Sequence, residues 1–257
     1  MRIAALQLAP DYTQPIDARR EQAAGLVRAQ AGADLVVLPE LWPQGGFLYT
    51  RWAEQAEAVD GPTVEAISAA AKQIGAWVHA GSLIERDEEG RLHNTSVLLR
   101  PDGSVAATYR KIHLFGFSEG EPALLVAGVS PVTVDTDLGR LGLATCYDLR
   151  FPELFRALVD AGAECVVIPA AWPASRVEHW SVLARARAIE NQYVVVAVNA
   201  TGEQGTDRMA GGSAVIDARG TVVTAAGAEP TVLTAEVDLA DVRVWREQFP
   251  ALADRRL

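Results

Sequence analysis

The chain has little cysteine, a deficit of basic residues and no long apolar run. Its 257 residues include only two cysteines, Cys146 and Cys165, too few for a disulfide framework. Lys and Arg number 23 against 33 Asp and Glu, a formal charge of −10. Nucleic-acid binders carry a basic surplus, so DNA and RNA are excluded as expected partners. An acidic surface is not drawn to anionic lipid either, and no apolar stretch reaches the roughly 18 residues that span a bilayer. The opening segment, Met1 to Asp11, is broken by Gln7 and Pro10 and lacks the apolar core of a secretory signal. The histidines at 79, 93, 113 and 179 show no HExxH spacing, and there is no CxxC, so no metal site is expected. Gly45-Gly46 matches neither a phosphate loop nor a dinucleotide fingerprint, and no cofactor is expected. Together these absences predict a soluble, cytoplasmic protein with reduced thiols.

What is present is an ordinary globular composition, 49% apolar and 22% charged, and a length that can bury about three quarters of the unfolded chain's surface. Apolar runs of strand length alternate with longer helical patterns. Strands are predicted at 3–9, 34–38, 76–84, 95–100, 104–109, 132–135, 141–145, 166–168 and 193–198. Helices are predicted at 15–30, from Gly61-Pro62-Thr63 to Gly75, at 152–161 and at 178–191. A hairpin is predicted around Ala218-Arg219-Gly220. The polar, Gly-rich stretch 201–212 reads as a surface loop. No Gly/Pro/Ser-rich linker divides the chain, so residues 1–257 are expected to form a single domain.

One unit occurs twice. Residues 31–42 read AGADLVVLPELW and residues 161–172 read AGAECVVIPAAW, identical at seven of 12 positions. A weaker echo pairs 96–105 with 213–222. Two similar βα halves predict two sheets related by a pseudo-twofold. Short apolar strands need cover on both faces, which helices outside and sheet against sheet inside would supply.

Three polar residues fall where such strands end. Glu40 follows Leu35 to Pro39, Lys111 follows Val105 to Arg110, and Cys146 follows Leu141 to Thr145. Ligands in α/β proteins gather beyond the carboxyl ends of strands. A thiol, a carboxylate and an ammonium converging there suit covalent catalysis: the thiol attacks, the carboxylate takes its proton, and the cation holds the oxyanion. The backbone N–H of Tyr147, at the turn after Cys146, is a second oxyanion donor. Cys165 lies inside an apolar strand and reads as core. Asp148, Arg150 and Glu153 are expected to form an ion-pair network that fixes the turn beside Cys146, and His113 to support the site from behind or to serve in packing.

The segments LPELW at 38–42, YRKIHLF at 109–115 and CYDLRFPE at 146–153, with PAAW at 169–172 and ARAIENQ at 186–192, closely resemble signature segments of the nitrilase superfamily of carbon–nitrogen hydrolases. The resemblance implies an α/β fold, a four-layer αββα sandwich with two pseudo-symmetric halves. It implies Glu40 as general base, Lys111 as oxyanion stabiliser and Cys146 as nucleophile. It also implies a second glutamate near the site, for which Glu119 matches some branches and Glu121 is close enough to compete. A homodimer, often with further assembly, is implied as well.

The run WPASRVEHW at 172–180 resembles the bacterial ω-amidase branch, whose substrates are 2-oxo acid amides. In that reading Trp172 walls the substrate pocket and Arg176 binds a substrate carboxylate, for which a guanidinium is well shaped. Pairing of Arg176 with Glu178 is the plain alternative. Other activities in the class are N-carbamoyl amide hydrolysis, deaminated-glutathione-type amidase activity and nitrile cleavage. Outside it stand a catalytically idle binding module and a thiol redox sensor. The last segment, 242–257, reads as a helix and tail that packs on a partner subunit or on its own chain.

Overall fold

The computed structural model describes residues 1–116 and 120–256. The first half runs β1 (Arg2–Gln7), α1 (Ile16–Arg28), β2 (Leu35–Val37), α2 (Tyr49–Gln55), α3 (Pro62–Ile74), β3 (Trp77–Arg86), β4 (Leu92–Leu99), β5 (Val105–Arg110) and α4 (Glu121–Leu124). The second runs β6 (Val132–Thr136), β7 (Gly139–Leu143), α5 (Pro152–Asp160), β8 (Cys165–Ala170), α6 (Val177–Asn191), β9 (Val194–Asn199), β10 (Thr201–Gln204), β11 (Asp207–Ala210), β12 (Ala214–Ile216), β13 (Val222–Ala225), β14 (Thr231–Glu236) and α7 (Ala240–Gln248). Local chemistry sets several boundaries. Pro62 opens α3 where its missing N–H costs nothing, and Gly75 ends it in the left-handed conformation at φ 64°.

Twelve strands repeat one pattern, six in each sheet. The first sheet is ordered β14-β1-β2-β3-β4-β5 and the second β6-β7-β8-β9-β12-β13. In each, three parallel strands (β1, β2, β3; β7, β8, β9) carry an antiparallel hairpin on one side (β4-β5; β12-β13) and one antiparallel strand on the other (β14; β6). The repeated 12-residue unit is the entry to β2 and β8, and the weaker echo is the two hairpins.

The pleat shows how the layers stack. Along β1, Ile3 and Ala5 join a core shared with Leu35, Val37 and the second sheet's Leu141 and Val166. The alternate residues Ala4 and Leu6 join another core with Ala23 and Val27 of α1 and Ile67 and Ala70 of α3. A period of two thus sends alternate side chains to opposite layers. The second sheet's outer face takes Phe155 and Leu158 of α5 and Trp180 and Ala184 of α6. The result is the expected α/β sandwich of four layers.

The structure adds α2 and β14, where no element is predicted, and it differs from expectation at 201–212. Residues 201–212 do not form a surface loop: β10 and β11 pair as an antiparallel hairpin, with Thr201, Gln204, Met209 and Ala210 buried. Met209 packs with Ala171 and Ala200, so the tertiary setting rather than propensity makes this polar stretch a strand pair. The C-terminal helix packs on its own chain: Arg246 donates to the carbonyls of Ala163 and Gln192, and Gln192 to that of Phe249. Among the described residues no helix is long and apolar enough to cross a membrane.

Candidate active site

Glu40 stands three residues beyond β2, and its placement depends on close backbone contact. Gly81 of β3 has φ 70°, and a Cβ there would lie 2.0 Å from the Pro39 carbonyl oxygen. Only glycine lets the two chains approach so closely. Leu41, the next residue after Glu40, takes φ 46° and donates its N–H to Ser82 Oγ at 3.1 Å. A left-handed leucine is uncommon and costs on the order of 1 kcal/mol. Cys146 shares that conformation, also at φ 46°. It opens a 3-10 turn, Cys146–Arg150, three residues past β7. Both turns outside glycine are therefore held under strain beside the pocket.

The three predicted side chains meet. Glu40 and Lys111 are 2% and 1% exposed, and Lys111 Nζ donates to Glu40 Oε1 at 2.8 Å. The other Glu40 oxygen, Oε2, accepts the N–H of Ala171 at 2.8 Å, from the end of β8. Each sheet thus secures the carboxylate by one oxygen. Cys146 is buried in the same pocket. Burial and then the Glu40 carboxylate push its thiol well above the ordinary range, against the pull of Lys111. Burial drags the Lys111 amine down, but the carboxylates of Glu121 and Glu40 outweigh it, so the amine is held as an ammonium. The resting pocket holds a thiol, a carboxylate and a cation.

A second glutamate is present, and it is Glu121. Its Oε2 lies 2.8 Å from Lys111 Nζ and accepts the Phe115 N–H at 2.5 Å. Burial raises its proton affinity first, opposed by Lys111 and reinforced by Glu40. Glu119, the other position weighed from the sequence, lies outside the described residues. Asn94 was not foreseen. Its amide donates to Glu40 Oε1 and Glu121 Oε1, at 2.8 Å each. The signal was there: His93 to Ser96 are four polar residues opening an otherwise apolar strand.

The turn beside Cys146 is fixed differently from expectation. Asp148, Arg150 and Glu153 make no ion pair with one another. Asp148 is buried and accepts from Tyr109 Oη at 2.7 Å, Thr145 N–H at 2.8 Å and His113 N–H at 3.0 Å, with the His113 ring at 2.7 Å. Hydroxyl, backbone and ring donors converge on this carboxylate, so it has no need of Arg150. His113 also stacks on Phe151 at 3.7 Å, the packing role expected of it. Arg150 instead lines the pocket, 4.7 Å over the Trp172 ring.

The pocket encloses about 380 Å³, open mouth included. Its walls include Tyr147, Trp172 and Arg176, together with Phe115 and Arg150. Trp172 is pinned by its N–H to Asn199 Oδ1 at 2.7 Å and by its indole N–H to the Arg176 carbonyl at 2.7 Å. Arg176 does not pair with Glu178; its guanidinium lies 5.4 Å over the Phe115 ring. Among the described residues neither Arg150 nor Arg176 has a carboxylate partner. Cys165, by contrast, is wholly enclosed within β8, and burial and then Glu164 push its thiol up to about 12.

Comparison with known proteins agrees with this geometry. The family model for carbon-nitrogen hydrolase matches residues 2–247. A 2-oxoglutaramate amidase of Paenarthrobacter nicotinovorans is 42% identical over 261 residues, covering 99% of this chain and 89% of the relative. The omega-amidase NIT2-A of Xenopus laevis is 38% identical over 240 residues, covering 89% and 85%. Among solved structures, XC1258 of Xanthomonas campestris, a CN-hydrolase superfamily protein with an arsenic adduct in its active site, superposes with a TM-score of 0.92. It is 34% identical and is matched over 100% of this chain and 97% of its own. By its sequence, its fold and the site between its two sheets, the chain belongs to the carbon-nitrogen hydrolase family.

Proposed function

We propose that the protein is an amidase that releases ammonia from a small linear amide bearing a carboxylate, through a thioester on Cys146. The observation that carries this reading is the convergence of Cys146, Glu40 and Lys111 in one pocket whose walls also present Arg150 and Arg176. Amides are poor electrophiles, and a covalent intermediate divides the reaction into two easier steps. The raised thiol implies that the proton stays on sulfur until substrate arrives. Glu40 then takes that proton as sulfur bonds to the amide carbon. Lys111 Nζ and the Tyr147 N–H hold the oxyanion. Glu40 returns the proton to the leaving nitrogen, ammonia departs, and the same carboxylate draws a proton from water as it attacks the thioester. The acid product leaves and the thiol is restored.

The substrate reading is supported by the names of the relatives, 2-oxoglutaramate amidase and omega-amidase, and by the two guanidiniums. Arg176 meets the substrate carboxylate, with Arg150 as the second cation and Trp172 as an apolar wall. We infer further that residues 1–257 act as one domain, since both sheets supply the site. By resemblance, the working form is a cytoplasmic homodimer that needs no cofactor.

The test is intact mass after brief incubation with 2-oxoglutaramate and related small amides, quenched in acid. An acyl adduct on the wild type, absent from Cys146→Ala, is the expected result. Full ammonia release by Cys146→Ala would overturn the mechanism. Equal turnover of carboxylated and neutral amides would overturn the substrate class.

A further inference from the structure

Asn94 lies near the start of β4, and its two amide hydrogens go to Glu40 Oε1 and Glu121 Oε1. The same two oxygens accept from Lys111 Nζ, at 2.8 and 3.0 Å. Two carboxylate oxygens and two nitrogens thus close a four-membered ring of hydrogen bonds. Asn94 Oδ1 has no partner among the described residues, although it is buried. Turning the amide over would aim that oxygen at two carboxylates, so the orientation is settled by the ring. A buried acceptor left without a donor is uncommon, and here it accompanies two donors committed to the site. The backbone fixes the same rung, because the Lys111 N–H donates to the Asn94 carbonyl at 2.9 Å.

We infer that Asn94 is a positioning residue that selects which oxygen of Glu40 acts as the base and keeps that carboxylate ionised beside Glu121. The inference rests on the assignment of Glu40 as the base. Oε1 is held by two donors. Oε2 takes one N–H, from Ala171 at the end of β8, the strand beside β7 that leads to Cys146, and the Glu40 carboxylate and that N–H both bear on the thiol. Oε2 is therefore the oxygen on the thiol side. The charged and titratable groups facing the ring are Glu40 beyond β2, Glu121 on α4, Lys111 beyond β5 and Cys146 beyond β7, with Tyr49 of α2 beside them. Two carboxylates share one ammonium, and the asparagine amide is the remaining donor between them. Without it the pair takes up a proton at higher pH, because donors to the charged form are what hold a carboxylate ionised.

The experiment follows alkylation of Cys146 by iodoacetamide against pH, read by peptide mass, which needs the base but no amide turnover. Melting temperatures confirm folding. In Asn94→Ala the pH of half-maximal rate moves up by roughly one unit. Asn94→Ser, which keeps a single donor, moves it less and serves if Asn94→Ala does not fold. Adding Glu121→Gln to either variant returns the half-rate pH toward that of the wild type, a rescue that a merely structural role would not give. A lower rate at every pH with an unmoved half-rate point would overturn the inference. Glu40→Gln separates the two levels: if it keeps the wild-type profile, the assignment of the base fails; if it loses the acid limb while Asn94 variants keep theirs, only the role of Asn94 fails.

Discussion

The two halves start from one 12-residue unit and use its end differently. In the first, the unit closes on Pro39-Glu40-Leu41-Trp42; in the second, on Pro169-Ala170-Ala171-Trp172. Register extends the pairing: Val37 lies opposite His79 and Val167 opposite Val196, so His79 and Val196 are counterparts. The first half gives the pocket Glu40, Lys111, Asn94 and Glu121. The second gives it Cys146, the Ala171 N–H, Trp172 and both arginines. The carboxylates and the ammonium gather on one half, and the nucleophile, the indole wall and the two guanidiniums on the other. A symmetric scaffold brings two equivalent strand ends together, and chemistry needs them to differ, since two carboxylates facing each other without cations would not both ionise.

The contrast between the two thiols is the largest effect to test. Cys146→Ala lowers amide hydrolysis by about 10⁴-fold or more. Cys165→Ala, in β8 beyond reach of the pocket, leaves kcat within about twofold and costs about 1–2 kcal/mol of stability. Ammonia release and denaturant melts check both.

Exchange at the ends of the repeat comes next. Glu40→Gln lowers kcat by about 10³-fold, whereas Ala170→Glu gains no activity. It buries a carboxylate without a cation in a strand surrounded by apolar residues, at a cost of about 3 kcal/mol or more. A functional base at 170 in a Glu40→Gln background would break the claimed asymmetry.

The second half's arginine predicts a split in kinetics. Arg176→Ala raises KM for a carboxylated amide by roughly 10- to 100-fold and leaves a neutral amide of similar size unaffected. Steady-state rates on the matched pair decide it.

The smallest effect concerns His79. Burial lowers its pKa to about 3 from an ordinary 6.5. The unfolded chain binds the proton first as pH falls, so stability drops from about pH 6.5 down toward pH 3. At pH 5 the loss is about 2 kcal/mol relative to neutral pH. His79→Val, copying Val196, flattens the melting temperature over that window; an unchanged acid slope would remove His79 from the account.

The outline of the fold and the three meeting residues were legible in the sequence for a physical reason. Apolar period and glycine or proline punctuation mark short strands, and Glu40, Lys111 and Cys146 each follow one. The family motifs then named the same three positions. Asp148 was legible only as a charge near Cys146; that Tyr109 and His113 join the neighbouring Thr145 N–H as its donors depends on a strand and loop more than thirty residues away. The same distance misled the reading of Arg150 as an ion-pair partner.

By itself the sequence determined the alternation of elements, the duplication, the acidic net charge and the identity of the thiol, carboxylate and ammonium, because these follow from local pattern and residue chemistry. Tertiary structure alone decided the rest. It made Glu121 a second carboxylate on Lys111, joined Asn94 to both glutamates, turned the polar stretch 201–212 into a partly buried hairpin and left two arginines at the pocket. Each of these depends on which groups lose water together and which donors then lie within about 3 Å, and no spacing along a chain encodes that distance.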